Sequence, residues 1–308
     1  MNEMGRIYFY MEYLLYRIVA FGIRCLPLSY AMCLADGIGL LLFYLLGERT
    51  RTTFNNLRQA YGAEKSEREI RKIAIASYQN LVRVAFEFIR IPTIAKNPER
   101  YLRVEHWDYV EKALEKKRGV MIIVSHFGNW ELMSFAGRIN QRPLHAIARA
   151  TKNPFVYQYI KHLRSLMGTV SIDKEGAVKN TVKLLKNNQI VCMLIDQHER
   201  QGGVWVDFFG RKASTTSLPA MMALRHEVSV LFAFYTRSGP GSFVIHLEKP
   251  FPVIRTDDRK QDILSNTQQY IRRIEEEIRK SPENWLWMHR RWREQPKTKA
   301  QEPSIKSP

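Results

Sequence analysis

The chain has 308 residues, 45% of them apolar and 25% charged, with a formal charge of +18 and a pI near 9.9. That length and composition bury a sizeable core and exclude a disordered chain; one large domain with appendages, or two small ones, would fit. So basic a chain favours anionic partners: lipid head groups, phosphorylated substrates, acidic carrier proteins or nucleic acid.

Residues 7–46 are rich in Leu, Ile, Phe and Tyr, but Glu12, Arg17, Arg24 and Asp36 interrupt them and Pro27 divides them. The second piece, 25–47, carries only Asp36 as a charge, which near a bilayer centre costs about 2.5–3.5 kcal/mol. We therefore expect helices lying on or dipping into one leaflet, with an amphipathic core pair as the alternative. Glu3 and Glu12 stand where a secretory leader would be basic, so no signal peptide is expected. Arg49 and Arg51 follow the apolar piece and, by the positive-inside rule, place the remainder in the cytoplasm.

Residues 52–90 read as helical. Ser66 and Glu69 form a capping-box pattern, and Ile70, Ala74, Tyr78, Leu81, Val82 and Phe86 recur at helical spacing up to Pro92. The rhythm then changes. Val120–Val124 is a short continuous apolar run, the mark of a strand buried on both faces, and runs at 144–148, 190–195, 228–235 and 243–247 follow. Helical stretches at 157–166, 177–187 and 218–225 lie between them, and 262–280 forms a charged final helix. This alternation predicts an α/β fold with a mainly parallel central sheet flanked by helices. Residues 294–308 are polar, with three prolines, and read as a disordered tail. Cys25, Cys33 and Cys192 form no CxxC pair and no Cys/His cluster has metal-ligand spacing, so the thiols read as buried and inert and no metal is expected.

The informative segment is Ser125-His126-Phe127-Gly128-Asn129-Trp130-Glu131, directly after the strongest predicted strand. Ligands in α/β sheets bind beyond the carboxyl ends of strands. Gly128 permits a tight turn, Asn129 suits an N-cap, and helix N–H groups nearby are placed to receive an anionic oxygen. Glu131, in the first helical turn, is expected to orient the His126 imidazole and leave its other nitrogen to take a hydroxyl proton. Taken alone, the pair also suits a packed histidine and a glutamate placed for the helix dipole. With no GxSxG elbow, Walker A loop or HExxH helix in the chain, the dyad implies direct attack by a substrate hydroxyl.

The segment His126–Glu131 resembles the HxxxxD/E motif of glycerolipid acyltransferases. The chain is similar, from about Tyr13 to Arg293, to the lipid A biosynthesis lauroyl/myristoyl acyltransferase family, which includes phosphatidylinositol mannoside acyltransferases. The resemblance rests on an ordered set: 53–57 (TFNNL), the His126 motif, Arg149, Asp196-Gln197, Phe208-Phe209-Gly210-Arg211 with Thr215-Thr216, and Trp285 to Trp292. It implies His126 as general base with Glu131 as its carboxylate partner, Arg149 near the acyl carbonyl or an acceptor phosphate, and Asp196 as an active-site acid. Asn129 and Gln197 join Arg149 and Asp196 as expected substrate contacts. It also implies no cofactor, an acyl thioester on acyl carrier protein or coenzyme A as donor, and a lipid A-type or related anionic lipid as acceptor. The absence of a Glu-Gly-Thr-Arg block leans away from a lysophosphatidate acceptor.

The implied organisation is membrane-associated helices over 1–50, an acyltransferase domain over 51–293 and a tail over 294–308, at the cytoplasmic face of a bacterial inner membrane. Trp285–Trp292, with its interleaved basic residues, suits either a membrane-interface belt or packed tryptophans. The competing reading is a non-catalytic basic protein binding membranes or nucleic acid, although no nucleic-acid motif is present. Thioester hydrolysis is a third.

Overall fold

A computed structural model describes residues 3–148, 151–173, 176–239 and 241–293. Arg149 and the 294–308 segment, both singled out by the sequence, lie outside the described residues. Four helices open the chain: α1 (Glu3–Cys25), α2 (Leu28–Leu45), α3 (Gly47–Tyr61) and α4 (Glu67–Ile89). Pro27 separates the first two, as expected, and the predicted 52–90 helix is broken at 62–66. Ser66 opens α4 with both hydrogen bonds of the capping box.

After a short α5 (Ile91–Ile94) the sheet begins. Its elements in chain order are β1 (Leu102–Glu105), α6 (Asp108–Leu114), β2 (Val120–Val124), a 3-10 turn (Trp130–Ser134) running into α7 (Phe135–Ile139), β3 (Leu144–Ala148), α8 (Pro154–Ser165), β4 (Thr169–Asp173), α9 (Ala177–Lys186) and β5 (Ile190–Leu194). A hairpin of β6 (Val204–Phe208) and β7 (Arg211–Thr215) precedes α10 (Leu218–His226), β8 (Ser229–Gly239), β9 (Ser242–Leu247) and α11 (Arg259–Lys280).

The seven-stranded sheet has the order β1-β9-β8-β2-β5-β3-β4. Every neighbouring pair is parallel except β8–β9, so β1 and β9 run opposite to the other five. β2 sits at the centre, buried along its whole length. Its side chains alternate between two cores. Val120, Ile122 and Val124 meet the layer of α5–α8, whereas Met121 and Ile123 meet α3, α4 and α9–α11. A continuous apolar run is what this double burial requires.

The α2 helix packs on α4 through the stripe Ala31, Ala35, Gly39 and Phe43. A Cβ on Gly39 would lie 2.5 Å from Gln79 Cα, so glycine permits this close approach. Asp36 is not left bare: its carboxylate holds the Arg83 guanidinium of α4 through two 2.5 Å bonds. The remaining faces of α1 and α2 expose large apolar side chains, among them Ile7, Leu15, Ile18, Phe21, Tyr30, Leu41 and Leu45. α2 is long and apolar enough to cross a membrane by length and composition. The thiols of Cys25 and Cys33 are exposed, contrary to expectation, because both sit on these outward faces.

Candidate active site

His126 stands two residues beyond the end of β2, at the carboxyl edge of the central strands. Gly128 makes the turn behind it: its φ is +59°, and a Cβ there would lie 2.6 Å from Tyr235 Cδ1 and 2.8 Å from the Tyr235 carbonyl oxygen. No L side chain fits that turn without strain.

The carboxylate that holds His126 is Asp196, beyond the adjacent strand β5. Asp196 Oδ1 is 2.8 Å from His126 Nδ1, and Oδ2 accepts the His126 backbone N–H at 2.8 Å and the Trp285 indole N–H at 2.7 Å. Asp196 is wholly buried. Burial opposes its ionisation, but the neighbouring imidazole and these hydrogen bonds prevail and hold it down to about 2. An ionised Asp196 accepts, so Nδ1 carries a proton, and in the neutral imidazole Nε2 is the base. Nε2 faces the Gln197 side-chain amide at 3.1 Å. The Trp130 ring stacks at a tilt, 5.1 Å from the imidazole.

Glu131, the expected partner, turns elsewhere. Its carboxylate accepts two hydrogen bonds from Arg164 of α8, at 2.7 and 3.0 Å. The geometric reason is register: Glu131 lies on the 3-10 turn that faces α8, whereas β2 and β5 are hydrogen-bonded neighbours whose ends bring His126 and Asp196 together. Asn129 caps that turn as expected, accepting from the Glu131 and Leu132 N–H groups at 3.1 and 3.3 Å. These N–H groups are thus engaged and are not open to an anion. The Asn129 amide donates to Glu87 at 2.7 Å, and the side chain is fully buried, so it braces the loop. Glu87 in turn pairs with Arg237 at 2.8 and 2.9 Å.

The aromatic C-terminal segment is not a surface belt. Trp285, Trp287 and Arg291 are buried, which settles the two readings of this stretch in favour of packing. The segment wraps the His126 loop: the Leu286 N–H donates to the His126 carbonyl at 3.1 Å and the Gly128 N–H to that of Asn284 at 2.9 Å. The scattered motifs converge on it. Asn56 donates to the Trp287 and His289 carbonyls at 2.7 and 2.8 Å, and Phe208 stacks on Trp292 with ring centroids 5.5 Å apart. Arg291 donates to the Gln197 carbonyl at 3.1 Å, the Ser214 carbonyl at 2.5 Å and the Thr215 hydroxyl at 2.6 Å. Burial pulls it down to about 10, against the attraction of Asp196. Two positioning residues therefore escape sequence reasoning: Trp285, which fixes Asp196, and Arg291, which fixes Gln197. The only signal for either was membership of a shared motif set.

Beside this constellation lies a cavity of about 190 Å³. Apolar Val124, Met133, Ile147 and Leu194 contribute to its lining, with Trp130 toward His126 and the Glu131–Arg164 pair at the wall. Cys192 also lines it, and burial pushes that thiol up to about 12, so it stays protonated.

The model of the bacterial lipid A biosynthesis acyltransferase family matches residues 5–294. The chain is 23% identical over 228 residues to a phosphatidylinositol mannoside acyltransferase of Mycolicibacterium smegmatis, covering 72% of this chain and 71% of that one. It is 22% identical over 281 residues, 88% of each chain, to the lipid A biosynthesis lauroyltransferase of Escherichia coli K12. A palmitoleoyltransferase of the same organism is 25% identical over 205 residues, 64% of this chain and 63% of that one. A match over nearly the whole chain sets aside the non-catalytic reading: the chain belongs to the bacterial lipid A biosynthesis acyltransferase family, whose members are O-acyltransferases.

Proposed function

We propose that this enzyme moves a fatty acyl group from an acyl thioester, on acyl carrier protein or coenzyme A, to a hydroxyl of a lipid A-type precursor or related anionic lipid. The observation that carries this reading is a histidine with its Nδ1 held by a buried carboxylate beside an apolar cavity. His126 Nε2 takes the proton of the acceptor hydroxyl as its oxygen attacks the thioester carbonyl. The tetrahedral intermediate collapses, the C–S bond breaks, and the imidazolium returns the proton to the departing thiolate. Asp196 stabilises the imidazolium and fixes the tautomer, the logic of the carboxylate in a hydrolase triad. Gln197, already at Nε2, marks where the acceptor hydroxyl enters.

The cavity suits the acyl chain, with the Glu131–Arg164 pair holding its wall. Arg149 remains a candidate for the carbonyl or an acceptor phosphate. The +18 charge suits an acidic carrier, a phosphorylated donor and an anionic acceptor alike. We place the exposed apolar faces of α1 and α2 in the cytoplasmic leaflet of the inner membrane. α2 has one face packed on α4 and its Asp36 bound to Arg83, which favours immersion alongside the domain over a solitary span.

The test is acceptor-dependent release of free thiol from an acyl thioester. His126→Ala is expected to fold, with an unchanged circular dichroism spectrum, and to lose transfer. Full transfer by that variant would remove the mechanism. Equal thiol release without acceptor would assign the chain to thioester hydrolysis.

A further inference from the structure

A second cavity, about 470 Å³ in volume, lies between α1 and α8. Tyr13, Arg17 and Arg24 of α1 are spaced four and seven residues apart, so they share one face of the helix. They meet Phe155, Tyr159 and His162 of α8 around this space. No residue lines both this cavity and the one beside His126.

The arginines are held by aromatics. Arg17 donates to the Tyr13 hydroxyl at 2.7 Å, and its guanidinium carbon lies 4.7 Å from the Tyr159 ring centroid. Arg24 donates to the Tyr159 hydroxyl at 3.4 Å. Among the described residues, neither has a carboxylate within ion-pair distance. Arg83, Arg164 and Arg237 elsewhere each hold one at 2.5–2.8 Å. Two guanidinium groups in one cavity without an acid partner are built for an external anion, and their planar donor sets match phosphate. The apolar side chains of Ile7, Leu14, Ile18 and Phe21 on the same helix are exposed. A phosphate bound between Arg17 and Arg24 would therefore sit beside a face suited to acyl chains.

We propose that Arg17, Arg24 and the α8 aromatics form a binding site for the phosphate of an anionic membrane lipid, separate from the catalytic centre. This rests on the proposed membrane contact of α1 and not on the catalytic reading. The site would set how the enzyme sits on the bilayer, with α8 joining it to the wall of the catalytic cavity through Arg164.

The experiment is co-sedimentation of the full chain with vesicles of neutral phosphatidylcholine, alone or with a fifth of phosphatidylglycerol. The Arg17→Gln/Arg24→Gln protein is compared with wild type and with Arg272→Gln, an exposed arginine on α11. The double variant is expected to lose about 30-fold in partitioning to the anionic vesicles, at about fivefold per interfacial basic residue. Binding to neutral vesicles should be unchanged, and the Arg272 variant should match wild type within about twofold. An Arg17→Lys/Arg24→Lys protein, which keeps the charge but loses the planar donors, should still lose several-fold, and it preserves the test if the glutamine pair misfolds. An Arg272 variant weakened about fivefold, the same loss per charge as in the double variant, would reduce the effect to net charge and overturn the site. Binding of the double variant equal to wild type on both vesicles would overturn the site while leaving the membrane contact standing, and failure of wild type to bind either would remove both. Calorimetric titration with inorganic phosphate covers the remaining source: submillimolar binding lost in the double variant would reassign the cavity to a soluble phosphate.

Discussion

Replacing Asp196 by asparagine tests the catalytic arrangement at its most constrained point. The asparagine has two orientations. In one, its oxygen stays on His126 Nδ1 and its NH2 faces both the His126 N–H and the Trp285 indole N–H, which now meet Oδ2 at 2.8 and 2.7 Å. That strands two buried donors at about 1–3 kcal/mol each, so roughly 2–6 kcal/mol in all. In the other, the oxygen accepts from those two donors and the NH2 donates to His126 Nδ1. This costs far less, so it is the state the variant adopts. Nδ1 then has no proton, Nε2 gains one, and the base is lost. The expected fall in kcat is roughly 10⁴-fold, the scale of tautomer reversal in a His–Asp pair, with KM little changed. Acceptor-dependent thiol release measures the rate, and nitrogen chemical shifts of a histidine-labelled protein report which ring nitrogen is protonated. A variant within tenfold of wild-type kcat would refute the reasoning. So would one that is inactive yet still protonated at Nδ1.

Four further outcomes follow from the same geometry. Asp196 has its pKa lowered from 3.8 to about 2, so it contributes stability above pH 4, about 2 kcal/mol, which is lost as pH falls toward 2; acid unfolding followed by fluorescence should show that loss in wild type and a shallower one in Asp196→Asn. His289, lowered to about 4 by burial, is neutral when folded, so it contributes stability above pH 6.5 that is lost as pH falls toward 4; His289→Gln should flatten that part of the stability curve, and an unaltered slope would contradict the assignment. Gly128→Ala meets both the +59° φ and the Tyr235 contact, and thermal or denaturant unfolding should find it destabilised by about 2–5 kcal/mol, the strain of a left-handed backbone plus overpacking. Cys192→Phe narrows the cavity at an overpacking cost of about 1–3 kcal/mol, and competition between donors of different length should shift toward shorter chains.

The primary sequence determined what depends on local rules. The all-apolar run Val120–Val124 could only be a strand covered on both sides, and it is the central one. The Ser66 capping box, the Pro27 break and the Asn129 cap were equally local. The strands that went unread are those whose partners lie on one side or outside the sheet. β1 and β4 are the sheet's two edges, and their alternating polar residues make a weak signal. The β6–β7 hairpin turns on Phe209 and Gly210, both at positive φ, without an Asn-Gly or Asp-Gly signature.

The site divides the same way. His126 was legible because it follows a strand at the edge where ligands bind. Its pairing with Asp196 was not: the family resemblance marked Asp196 as an active-site acid, but sequence spacing favours neighbours such as Glu131, five residues away, over a residue seventy away. Only the parallel pairing of β2 with β5 brings those two strand ends together, and only the folded C-terminal segment delivers Trp285 to fix the pair. Local chemistry determines which residues can act. Strand register and long-range packing, which no short window of sequence contains, decide which of them meet.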